Sequence, residues 1–200
     1  MATDKLILLM YRSWADIDRA VDGLTAEMAT ARHDGGSSIA WTVGHVTHMV
    51  DSWINTRFQG LSPHPLISQP AFRSGASGDA DDWRGIEAAV WEVRDASRDF
   101  LEADHPPDLD RVIPYDGSIE QLRPVGLTLR YALMRISAHH FVHVGEIVTI
   151  RSRLGHAVGA QIAAEPPRPV LRAVDEDAAA RRACADAEPI PAVVPDCLEQ

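Results

Sequence analysis

In four separate stretches of this chain, apolar residues recur at spacings that alternate between three and four. Ile7, Met10, Trp14, Ile17, Val21 and Leu24 form the first stretch, and Ile39, Val43, Val46, Val50 and Trp53 the second. Trp83, Ile86, Val90, Val93, Ser97 and Phe100 form the third. The fourth is the longest: Leu129, Leu133, Ile136, His140, His143, Ile147, Ile150 and Leu154. Such spacing draws one stripe down one side of an α-helix, and each stripe must be covered by something. Four long helices with one stripe each close most economically on one another, so the expected fold is all-α, a four-helix bundle. Competing strand patterns are short, as at residues 111–115.

Local signals set the boundaries. Thr3 or Asp4 suits an N-cap for the first helix, and Ser37 or Ser38 for the second, which should end near Gln59 and Gly60. The third helix should begin near Asp82, and the fourth should run from about Val125 to Leu154, with Gly155 as the stop. Residues 61–81 hold three prolines and two glycines and read as a long irregular connection, as do residues 104–124. The bundle therefore occupies residues 1–156. Residues 157–200 carry six of the thirteen prolines and many alanines, and read as a loosely packed extension with a short helix around residues 175–185.

Charge and cysteine usage narrow the function. Nineteen basic residues stand against 29 acidic ones, a net charge of −10 that repels phosphate backbones, so no nucleic-acid partner is expected. No apolar run approaches the length of a membrane span. The two cysteines, Cys184 and Cys197, both fall in the final stretch and make no disulfide framework. The opening residues lack a basic leader followed by an apolar run. A cytoplasmic protein acting on a small molecule is the expectation.

The chemistry concentrates in the histidines. His140 and His143 fall on the buried stripe of the fourth helix, and His139 lies beside it. A buried ring nitrogen without a partner costs free energy. Residues four apart on a helix lie one turn apart on one face, so His139 and His143 have the spacing used by paired zinc ligands. His140 and His143, three apart, fit the stripe better but chelate less comfortably. Two ligands make a weak site, and a third has to come from a facing helix. On the second helix His45 lies near the edge of the apolar stripe and is the better inward ligand, while His48 points further round and is the alternative. Asp51 and Glu146 are candidates to orient a ring through its second nitrogen. Arg135, one turn before His139, is a candidate for binding an anionic substrate, although a solvated face explains it too. The plain alternative is that these histidines are hydrogen-bonded packing residues of a helical interaction domain.

Two stretches carry a family resemblance. SIAWTVGHVTHMVDSW, with a tryptophan followed by a histidine, and HHFVHVGEI, with its HxxxH spacing and HxGEI ending, resemble the second and last helices of the DinB-like superfamily. That superfamily comprises metal-binding four-helix bundles and includes bacillithiol- and mycothiol-dependent transferases. The resemblance spans about residues 4–155. It implies that His45, His139 and His143 bind a divalent metal, zinc or nickel, with a water in an open position, and it selects His139 over His140. It further implies a thiol S-transferase with a low-molecular-weight thiol as co-substrate, and a homodimer. A metal-dependent hydrolase, or a non-catalytic metal-binding stress or interaction protein, are the alternatives.

Overall fold

The structure, a computed structural model, describes residues 4–156. The expectations for residues 157–200, including the short helix and both cysteines, lie outside the described residues. Helix α1 spans Lys5–Val21, and its first turn is closed by Asp4, whose carboxylate accepts the Leu6 N–H at 2.8 Å. A single short turn of helix, α2, spans Ala26–Thr30. Helix α3 spans Ile39–Val50 behind a Ser38 cap and runs straight on into a π-helical stretch, Asp51–Phe58. Helix α4 spans Trp83–Leu101, capped by Asp82, and α5 spans Leu129–Arg153, capped by Thr128. Each such cap satisfies a backbone donor the helix leaves open, typically about 1 kcal/mol.

Contacts between the long helices fix their directions. Asp4 pairs with Arg130 and Arg151 reaches the Ala20 carbonyl, so α1 and α5 run parallel. Asn55 and Gln59 donate to the carbonyls of Val93 and Ala96, and Val43 lines one cavity with Trp83 and Val90 from the first half of α4, so α3 and α4 also run parallel. Trp53 stacks on Tyr131 while His45 meets His139, which makes α3 antiparallel to α5. Asp18 pairs with Arg94 and Tyr11 lies by Arg98, which makes α1 antiparallel to α4. The bundle is up-down-down-up. Parallel neighbours α3 and α4 need a connection that returns the length of a helix. Residues 59–82 are that crossover, which is the physical reason the second connection is long.

Two apolar clusters fill the bundle. Met10, Trp14, Val50, Ile54, Val93, Leu133 and Ile136 belong to one; Ile17, Ile39, Val46, Ile86 and Ile147 belong to the other. Ile136 sits in the first and Ile147 in the second, so the histidines of α5 occupy the stretch between them. Arg94, only 3% exposed and paired with Asp18, lies at the same level.

Three local features depart from the sequence reading. Helix α2 was not foreseen, because one five-residue turn carries no periodic signal. The last helix begins at Leu129 rather than Val125: Leu127–Thr128 pair antiparallel with Val112–Ile113, forming strands β2 and β1. Gly126, at φ 80°, makes the turn into that pairing, and a Cβ there would strike Val112 and the Ile113 carbonyl. The second helix reaches Gln59 and Gly60 as expected, but its last eight residues are π-helical. Four tryptophans are packed in the interior, whereas Trp91 is 52% exposed.

Candidate metal centre

His45 comes from the middle of α3, and His139 and His143 come from consecutive turns of α5. Across the antiparallel seam the Nε2 atoms of His45 and His139 lie 3.2 Å apart, and those of His139 and His143 are also 3.2 Å apart. One ligand nitrogen from each residue falls within 4.8 Å of the others, the one such grouping of His, Cys, Asp or Glu among the described residues.

The remaining ring nitrogens determine what these atoms can do. His45 Nδ1 lies 2.7 Å from the Phe72 carbonyl oxygen, which can only accept, so Nδ1 carries the proton and Nε2 presents a lone pair. His143 Nδ1 lies 2.6 Å from Glu146 Oε2, one turn further along α5, and donates to that carboxylate. Its Nε2 is likewise left as a lone pair. His139 Nδ1 is buried without a partner among the described residues. A proton on His139 Nε2 could serve one neighbouring lone pair and would leave the other facing it unmet. A cation among the three Nε2 atoms meets all three of those lone pairs at once. Zinc–nitrogen bonds of about 2.0–2.1 Å in a tetrahedron put ligand nitrogens about 3.3 Å apart, close to the separations here. The donor set therefore fits a divalent metal with three protein ligands and one position left over.

Burial keeps the His45 and His139 rings in the ligand-competent neutral form. It lowers the pKa of His45, against the opposing pull of the Phe72 carbonyl bond. His139 is pushed down to about 3, chiefly by burial and then by the neighbouring His143 and His45, with Arg135 adding its charge.

The crossover residues build one wall. Trp41, one turn before His45, stacks on its ring at 4.8 Å with planes 6° apart, and donates Nε1–H to the Ala71 carbonyl at 2.6 Å. Gly44 lets the Phe72 ring lie against the α3 backbone, since a Cβ there would enter that ring. Sequence reasoning missed Ala71 and Phe72, because both act through backbone carbonyls. The stacked tryptophan, placed i, i+4 to the histidine, was the available signal.

The other expected site residues go elsewhere. His140 is 1% exposed, donates Nδ1–H to the Ile136 carbonyl at 2.8 Å, and is pushed down to about 3 by burial. It is a core residue between the two apolar clusters. His48 is half-buried outside the cluster, its Nδ1 without a partner among the described residues. Burial, then the charge of Arg73, lowers its pKa. Asp51 orients no ring of the cluster; its Oδ2 accepts the His64 backbone N–H at 3.0 Å and anchors the start of the crossover. Arg135 is exposed, one turn before His139. No described helix is long and apolar enough to cross a membrane.

Comparison with known proteins agrees with this architecture. The family model of the DinB superfamily matches residues 9–147, a span that includes all three clustered histidines. No curated protein matches the sequence.

Proposed function

The chain belongs to the DinB superfamily, and we propose that it is a divalent-metal-dependent thiol S-transferase whose metal, zinc or nickel, is held by His45, His139 and His143. The observation that carries this reading is the convergence of three Nε2 atoms, two of them held as lone pairs by the partners of their Nδ1 atoms. When bound, the cation would lower the pKa of a small thiol placed at the free position and favour its thiolate.

The chain's own residues supply the rest. Phe72 and Glu146 hold the His45 and His143 rings in the tautomer that leaves Nε2 available. Trp41 and the docked crossover keep water from one side of the cluster. Arg135, exposed one turn from His139, would attract an anionic group on the thiol or the electrophile. The transfer forms a carbon–sulfur bond, breaks the bond to the leaving group, and gives the thiol proton to solvent or base.

The test is a panel of low-molecular-weight thiols, each offered with an alkylating or epoxide electrophile to metal-loaded protein. Thioether formation that falls at least 100-fold in His45→Ala and His143→Ala supports the reading. Turnover unchanged in those variants overturns it. Turnover of ester or amide substrates run beside the panel, with no thioether formed, would redirect it to metal-assisted hydrolysis.

A further inference from the structure

A cavity of about 240 Å³ opens where α1 and α4 meet the start of α3. Its α4 wall carries Trp83, Glu87 and Trp91, each one turn from the next, with Val90 and Arg94 beside them. Aliphatic side chains of α1 and α3 close the far side. Asp18 lies in its wall, already paired with Arg94 at 2.6 Å. Asp22 and Glu87 are exposed, and neither forms an ion pair among the described residues. The lining thus holds three carboxylates against one guanidinium, beside two indoles.

Each property of this cavity selects the same ligand chemistry. An excess of negative charge disfavours anions. The carboxylates are not gathered closely enough to chelate a metal, since the histidine cluster is the one such grouping among the described residues. An accessible indole beside carboxylates suits an organic cation, which can gain cation–π attraction and ion pairing together. The apolar walls ask for a hydrocarbon body on that cation. The volume lies below the roughly 300–1,000 Å³ of pockets that enclose drug-sized molecules, so the ligand is small. Trp91 is 52% exposed, so its indole is accessible to a ligand seated in the cavity.

We propose that this cavity binds a small organic ammonium ion with an apolar body, an aryl- or alkylammonium, against the exposed Trp91 with its charge toward Asp22 and Glu87. The site is separate from the histidine cluster and does not depend on the metal reading.

Phenethylammonium is the probe, with 2-phenylethanol as its neutral counterpart and phenylacetate as its anionic one, each titrated into the full chain by calorimetry and tryptophan fluorescence. Saturable one-to-one binding of phenethylammonium is expected, at least tenfold tighter than the alcohol, with phenylacetate not bound. Glu87→Gln and Asp22→Asn should each weaken it at least threefold, and Trp91→Ala at least fivefold. All three positions are exposed, so the variants should keep the wild-type circular dichroism and melting temperature. Absence of saturable ammonium binding, equal binding of the alcohol, or affinity unchanged in all three variants would overturn the proposal.

Discussion

His45 Nδ1 lies 2.7 Å from the carbonyl oxygen of Phe72, a residue 27 positions later on the crossover between α3 and α4. That bond makes the crossover part of the candidate metal centre. It fixes the proton on the outer nitrogen of His45 and leaves the inner one free, and it depends on the chain returning along α3 with Phe72 against Gly44.

Gly44→Ala tests this dependence. The added methyl enters the Phe72 ring, so either the ring or the crossover must shift, at a cost of about 1–3 kcal/mol in stability. Metal affinity should fall as well, because the Phe72 carbonyl moves with its ring. A chelator-competition titration alongside urea denaturation reads both. Lost stability with unchanged affinity would mean that the crossover does not orient His45.

Trp41→Phe removes the Nε1–H bond to Ala71 while keeping an aromatic ring over His45. The crossover loses one anchor next to Phe72. Metal affinity should drop several-fold, by less than the roughly 10–100-fold typical of losing a partner bonded directly to a ligand. Equal affinity to wild type would show that this anchor is redundant.

Glu146→Gln removes the negative charge that accepts the His143 Nδ1 proton, and leaves an amide oxygen in its place. Metal affinity should fall about 10-fold, and Glu146→Ala should fall further, toward 100-fold. The same competition titration distinguishes them. Two variants with wild-type affinity would remove Glu146 from the site.

The metal-stripped protein should lose stability in acid, and His140 should carry part of the loss. Burial pushes this ring down to about 3, whereas in the unfolded chain it titrates near 6.5. Above about pH 6.5 it is neutral in both states and its contribution is fully present. As pH falls from about 6.5 toward 3, the unfolded chain takes up a proton that the folded chain refuses. Stability then drops by about 1 kcal/mol per pH unit for this one group. Urea midpoints at pH 8, 6 and 5 should decline more steeply in wild type than in His140→Leu. Parallel declines would place the acid sensitivity elsewhere.

How much of this was legible in the sequence follows from which interactions are local. Stripes such as Leu129–Leu133–Ile136 and Trp83–Ile86–Val90 declare their helices because burial on one side is a local, periodic requirement. The pairing of His139 with His143, and of His143 with Glu146, was readable for the same reason: helical geometry alone brings residues four or three apart together. His45 was readable from its place at the edge of the α3 stripe. The Phe72 carbonyl was not, because a backbone acceptor has no residue-type signature and the crossover that delivers it is placed by tertiary packing. Nor was the π-helical stretch Asp51–Phe58, whose residues continue the apolar spacing of α3 up to Trp53. Its wider turn is held by contacts outside the helix, among them Asn55 to the Val93 carbonyl and Asp51 to the His64 amide. His140 sits on the buried stripe as its spacing demands, yet its Nδ1–H goes to the Ile136 carbonyl of its own helix. Stripe position therefore identifies burial and not ligation.

The most direct test of the central claim is elemental analysis of untagged protein, with wild type beside His45→Ala, His48→Ala, His139→Ala, His140→Ala and His143→Ala after loading with zinc or nickel. The geometry predicts about one equivalent of metal in wild type, lost in the His45, His139 and His143 variants and kept in the His48 and His140 variants. A folded wild-type protein that holds no metal after loading, or one that keeps its metal without His45, would contradict it.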